Sequence, residues 1–112
     1  MRFGIILPTF GAGAAPQMII DTALAAERLG FDSVWVTDHL ALPKEDAARM
    51  GHIFEAITTL SFLAARTKRV QLGISTLVLP QRNPVEIAKE IATLDALSDG
   101  RVIMTAAIGW SA

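Results

Sequence analysis

Four runs in this chain, Arg2–Pro8, Asp32–Thr37, Val70–Leu77 and Arg101–Ala107, are apolar almost without interruption. A strand with one wet face alternates apolar and polar side chains. A run without that alternation reads as a strand covered on both faces, the habit of parallel sheets. The segments between the runs have helical spacing instead. Ile19, Ile20, Ala23, Leu24 and Ala26 make one apolar stripe, while Gln17, Asp21, Glu27 and Arg28 fall away from it. Ile53, Ala56, Ile57, Leu60, Leu63 and Ala64 mark a second helix, expected from about Ile53 to Arg66, and Ile87, Ile91, Leu94 and Leu97 mark a third. The punctuation agrees. Pro16 suits a first helical turn and Gly30 the position just past a helix end. Asn83-Pro84-Val85-Glu86 combines a capping side chain, proline and an early acid, and Ser98-Asp99-Gly100 is a turn. The order is therefore β-α-β-α-β-α-β, an α/β chain whose helices link parallel strands by right-handed crossovers.

Two architectures use that order: a doubly wound open sheet, and a TIM barrel of (β/α) units cut short. The open sheet would rest on Gly11-Ala12-Gly13 as a dinucleotide fingerprint, which needs a third glycine where this chain has Pro16. The acid ending the second strand, Asp38, also lies further on than the ~20 residues that motif requires. The fingerprint is incomplete.

Composition narrows the function classes. At 112 residues there is room for one domain. Hydrophobic residues make up 52% and charged residues 19%, a greasy balance for a small chain with much surface to cover. It suggests a piece of a larger core, or a surface buried against another copy. A net charge of −1 gives no electrostatic case for nucleic acid or an acidic membrane. Arg66, Lys68 and Arg69, the one basic cluster, read as a solvated turn. There is no cysteine for a disulfide or a thiolate, and His39 and His52 lack metal-ligand spacing, so no metal is expected. No stretch approaches the ~20 apolar residues that span a bilayer, and the start lacks the pattern of a secretory leader. A soluble cytoplasmic protein is the expectation.

Chemistry concentrates at the strand ends. Phe31-Asp32-Ser33-Val34-Trp35-Val36-Thr37-Asp38-His39 is a buried strand that stops in an acid and an imidazole. An imidazole is the side chain suited to moving a proton near neutral pH, which makes His39 a candidate acid or base; Asp38 can orient it or bind a cofactor. The plain alternative is that Asp38 caps the next turn and His39 packs on it. Asp38–Gly51 is long beside the ~2–6 residues usual for such a connection, and Lys44–Met50 can form a short helix within it. Thr9 and Phe10 end the first strand, Ser75-Thr76 the third, and Ile108-Gly109-Trp110 the fourth.

These residues resemble a family. Gly30-Phe31-Asp32-Ser33-Val34-Trp35 with Asp38-His39, Leu72-Gly73-Ile74-Ser75-Thr76, Asn83-Pro84-Val85-Glu86-Ile87-Ala88-Lys89 and, most specifically, Ala92-Thr93-Leu94-Asp95-Ala96-Leu97-Ser98-Asp99-Gly100-Arg101-Val102 are similar to motifs of the luciferase-like flavin monooxygenases and their deazaflavin-dependent relatives. The resemblance covers the whole chain but only the N-terminal part of the family's (β/α)8 barrel. Residues 1–112 would then be a single N-terminal half-barrel, and the open-sheet alternative recedes.

The resemblance implies an oxidoreductase that uses reduced flavin (FMN) or the deazaflavin coenzyme F420, for hydride transfer or monooxygenation of a small organic substrate. It implies catalytic roles for His39 and Asp38 beside the ring. It also implies cofactor contacts from Thr9, Phe10, Asp38, Ser75, Thr76, Gly109 and Trp110, and a non-proline cis peptide at Ser75-Thr76 against the ring's back face. Where the family usually has a glycine-rich run, this chain has Thr105-Ala106-Ala107. Four strands leave two edges and one uncovered face, so a homo-oligomer is expected, with two copies able to close an eight-stranded barrel. The alternative is a non-catalytic truncated half-barrel that self-associates without turnover.

Overall fold

The computed structural model describes residues 1–109. Its strands are β1 (Gly4–Ile6), β2 (Ser33–Val36), β3 (Gln71–Val78) and β4 (Val102–Ala107). They form one sheet in the order β1-β2-β3-β4, and every neighbouring pair is parallel. A doubly wound sheet reverses its strand order at a switch point. Here the order never reverses, so each crossover steps the same way round, which makes the sheet an arc of a (β/α) barrel.

The helices are α1 (Pro16–Leu29), α2 (Lys44–Met50), α3 (Ala56–Ala64) and α4 (Pro84–Leu97). Sequence punctuation sets their ends. Gly30 closes α1 in the left-handed region at φ 87°, its N–H returning to Ala26 and Glu27 carbonyls. The Asn83 side chain caps α4 by accepting from the N–H groups of Val85 and Glu86. The second long helix begins at Ala56, three residues later than its apolar spacing suggests. Ile53 is taken by an antiparallel bridge to Phe10, the Phe54 N–H donates to the Thr9 carbonyl, and Glu55 caps the helix that follows. The loop after β3 contains a 3-10 turn, Leu79–Gln81.

Long helices and sheet enclose one core. Leu7, Val34, Val36, Leu72, Ile74 and Leu77 from the strand side meet Ile19, Ala23, Ala56, Leu60, Leu63, Ile87 and Leu94. The opposite, concave face is built differently. The Trp35 indole lies across it, over Gly4 on one neighbouring strand and Gly73 on the other, where a methyl group at either position would overlap the ring. Its Nε1–H donates to Ser33 Oγ at 2.8 Å.

The N-terminal ends of β3 and β4 are tied by two side chains. The Glu27 carboxylate accepts from the N–H groups of Lys68, Arg69 and Val70, so the basic cluster does lie at a turn, its backbone held from α1. The Arg101 guanidinium donates to the carbonyls of Ala64, Val70 and Ser98 and to Thr67 Oγ1. These bonds satisfy helix-end carbonyls that would otherwise lack partners. No helix among the described residues is long and apolar enough to cross a membrane.

Candidate active site

Parallel strands of one barrel arc end on the same side, so the topology alone gathers the carboxyl ends of β2, β3 and β4. A cavity of about 290 Å³ opens there, walled by Thr37, Asp38, His39, Ser75, Thr76, Val78, Ala107 and Gly109. Asp38, His39, Ser75, Thr76 and Gly109, all expected at this rim from their places at strand ends, are brought together by the fold. The Ser75-Thr76 peptide is cis. The β3–β4 register shifts between Ile74 and Leu77, and the Thr105 hydroxyl donates to the Ile74 carbonyl at 2.9 Å beside that shift. Thr105 thus has a bonding role at the place where a glycine-rich run is usual in the resembled family.

Thr9 and Phe10 are not among the cavity walls. After Pro8 the chain turns away, and the long β2–α3 connection folds back over it: Gly11 N–H donates to the Met50 and His52 carbonyls. Thr9 is fully buried, while Phe10 is partly exposed on its bridge to Ile53. His52 is exposed and meets Phe54 edge-to-face at 4.9 Å. Trp110 lies outside the described residues.

Asp38 is the residue whose surroundings differ most from the expectation. Its side chain is fully buried, and its carboxylate is directed to Val78 and Arg82 instead of to His39. Val78 N–H donates to Oδ2 at 2.9 Å and Arg82 Nε to the same oxygen at 3.2 Å, while Arg82 Nη2 pairs with Oδ1. Arg82 Nη2 also donates to Glu55 Oε1 at 2.8 Å. The Glu55 carboxylate caps α3, accepting from the N–H groups of Ile57 and Thr58. Hydrogen bonding to Asp38, against the opposing effect of burial and with help from Glu55, holds the Arg82 guanidinium above its ordinary pKa. Burial works to raise the Glu55 pKa, but the N–H of Thr58, the Arg82 guanidinium and the N–H of Ile57 hold it below the usual carboxylate range.

Arg82 and Glu55 carry no site expectation from the sequence. A signal existed: Arg82 is the only cation in Val78-Leu79-Pro80-Gln81-Arg82, directly after a strand whose neighbour ends in an acid. Thr37 is a further addition. Its buried Oγ1 has no hydrogen-bond partner among the described residues, and it belongs to the cavity wall. A second cavity of about 140 Å³ adjoins the first. It shares His39, Val78 and Gly109 with it and is otherwise walled by Ala41, Leu42, Pro43, Pro80, Gln81 and Ile108. His39 therefore borders two spaces, one walled by Thr37, Ser75 and Thr76, the other by Leu42, Pro43, Pro80 and Gln81.

A flat polar ring fits this site on two observations. The Thr37 hydroxyl, without a partner among the described residues, offers a buried hydrogen-bonding group at the wall, and Ser75, Thr76 and Gly109 contribute only small side chains or none to it. The volume is at the low end of the ~300–1,000 Å³ of small-molecule sites, so these residues would hold one part of a larger ligand. Among the described residues no group of three or more His, Cys, Asp or Glu side chains is placed to hold a metal ion.

The sequence pattern of luciferase-like monooxygenases matches residues 1–112. An F420-dependent glucose-6-phosphate dehydrogenase of Amycolatopsis mediterranei is 42% identical over 90 residues, which cover 80% of this chain and 26% of that protein. The chain thus spans about a quarter of that dehydrogenase's length. Among solved structures, the coenzyme F420-dependent tetrahydromethanopterin reductase of Methanopyrus kandleri superposes with a TM-score of 0.73 at 29% identity, covering 94% of this chain and 26% of the other. The oxygenating constituent of 3,6-diketocamphane monooxygenase from Pseudomonas putida, in complex with FMN, gives a TM-score of 0.79 at 22% identity, covering 99% and 30%; that likeness is one of fold.

Proposed function

The chain belongs to the luciferase-like monooxygenase family, and on that footing we propose that it forms the His39 rim of an oxidoreductase that works with reduced FMN or F420 on a small organic substrate. The observation that carries the reading is the cavity that joins His39 to Ser75 and Thr76 at the carboxyl end of the sheet. In the same reading Thr37, Ser75, Thr76 and Gly109 hold the ring, which when bound supplies the electron pair for reduction. Thr9, Phe10 and Trp110 stay proposed as contacts from the ends of β1 and β4. His39 donates or accepts the proton that accompanies electron transfer, a role that general acid–base groups fill with gains of about 10²–10⁴ in rate. Asp38 belongs to the cavity wall and acts by holding the rim together, since its carboxylate is occupied by Val78 and Arg82. The proline- and leucine-walled space on the other side of His39 receives the substrate. The cytoplasm is the proposed location.

The test is a titration of FMN and, separately, of F420 into the purified chain, followed by ring absorbance and fluorescence. Saturable binding that Thr37→Val weakens supports the reading. Absence of binding with both compounds overturns it. One observation favours a second reading, in which the half-barrel associates without turnover: Ile6 and Ile108 are 61% and 86% exposed. Self-association with no ring binding would select that reading.

A further inference from the structure

Asp38 is a wall of the candidate site, while its partners Arg82 and Glu55 are not among the cavity walls. The bonds of this Asp38–Arg82–Glu55 cluster join four separate pieces of chain. Asp38 lies two residues past the end of β2 and is followed directly by His39. Val78, which donates to Asp38, ends β3 two residues beyond Thr76. Arg82 belongs to the β3–α4 connection, and Glu55 opens α3. Removing one partner would leave a buried charge uncompensated, so the cluster operates as a unit. The Asp38 side chain is wholly buried and that of Arg82 only 11% exposed, while Glu55 at 36% is the outer member.

We propose that Arg82 and Glu55 are positioning residues: through Asp38 they fix the His39 end of β2 against the Ser75-Thr76 end of β3. A guanidinium suits this because its planar fork donates to Asp38 along two directions and still reaches Glu55; an ammonium offers a point charge with no fixed direction. The inference deepens the oxidoreductase reading but does not require that a ring compound bind.

Heteronuclear NMR of the full chain provides the test, comparing wild type with Arg82→Met, Arg82→Lys, Glu55→Gln and the unrelated surface variant Lys89→Gln. The signals followed are the His39 ring and the amides of Ser75, Thr76 and Val78, at a temperature where each variant is folded by circular dichroism. Arg82→Met should shift or broaden all four signals, Arg82→Lys should restore them only in part, and Lys89→Gln should leave them in place. An ion pair that merely stabilises the fold would lower the melting temperature and leave these folded-state signals unmoved. That result in Arg82→Met overturns the proposal, and where Arg82→Met does not fold, the same result in Arg82→Lys overturns it. If wild type binds FMN, Arg82→Lys should weaken that binding, and Lys89→Gln should not. Failure of wild type to bind counts against the oxidoreductase reading alone, because the NMR comparison still decides the positioning role.

Discussion

A methyl group at Gly73 would overlap the Trp35 indole, and the same holds at Gly4. Glycine inside a strand weakens it unless something approaches the backbone closely. Here an indole does so from the strand between them. Gly73→Ala should therefore destabilise the chain by about 1–3 kcal/mol, the usual cost of overpacking. It should also change the near-ultraviolet circular dichroism of the tryptophans; an unaltered urea midpoint would contradict the packing described. The sequence shows that Gly4 and Gly73 interrupt apolar runs. It does not show that one side chain on β2 explains both, because that follows from the cross-strand register of Gly4 with Ser33 and of Gly73 with Trp35. His39 and Ser75-Thr76 were legible as polar residues that follow or interrupt greasy runs, although Ser75-Thr76 lie within β3 and not at its end. The partners of Asp38 were not: Arg82 lies 44 residues further on, and only the pairing of β2 with β3 brings it near.

Among the elements, β3 depends most on side chains from elsewhere. Three N–H groups in the turn that leads into it bond to Glu27 on α1. Burial works to raise the Glu27 pKa, but the N–H groups of Arg69, Val70 and Lys68 and the charge of Arg101 hold it below its ordinary value of 4.5. Glu55, at the start of α3, is lowered as well. A carboxyl whose folded pKa lies below its unfolded value stabilises the fold above the unfolded value and loses that contribution as pH falls through the folded one. Chemical stability should thus stay level from neutral pH down to about 5 and fall steeply below about 4.5. Glu27→Gln should lose about 1 kcal/mol at neutral pH, a modest figure because solvent screens part of the site, and should flatten the acid limb. Urea denaturation across that range measures both; an unchanged acid limb in Glu27→Gln would remove Glu27 from the explanation. Helix ends were legible where a single residue sets them, as at Gly30 and Asn83. The start of α3 was not, because Ile53 and Phe54 have helical spacing yet are recruited by Phe10 and Thr9 across the fold.

For the chain taken as one body, the apolar excess of the composition has a place. Helices cover one face of the sheet, while the concave face and the two edge strands leave Phe3, Ile6, Met104 and Ile108 exposed. Exposed apolar surface next to unpaired strand edges favours association. A second copy related by a two-fold axis would supply another four parallel strands to the arc. The isolated chain should therefore run above its 12.0 kDa mass by light scattering at micromolar concentration. Replacement of Ile6 and Ile108 by lysine should shift it towards monomer. A cooperatively folded wild-type monomer under those conditions would rule this association out.

Local pattern was enough to set the alternation of strands and helices, most of their boundaries, and the residues that stand at the strand ends. Those are consequences of periodicity and of turn residues, which act over a few positions. Whatever depends on distant partners was settled only by the folded arrangement. That arrangement fixed the strand order that makes the sheet a barrel arc, and the register that lays Trp35 over two glycines. It also turned Asp38 away from His39 and towards Val78 and Arg82. A buried carboxylate takes whichever donors the packing supplies, and no local pattern in the chain records which donors those will be.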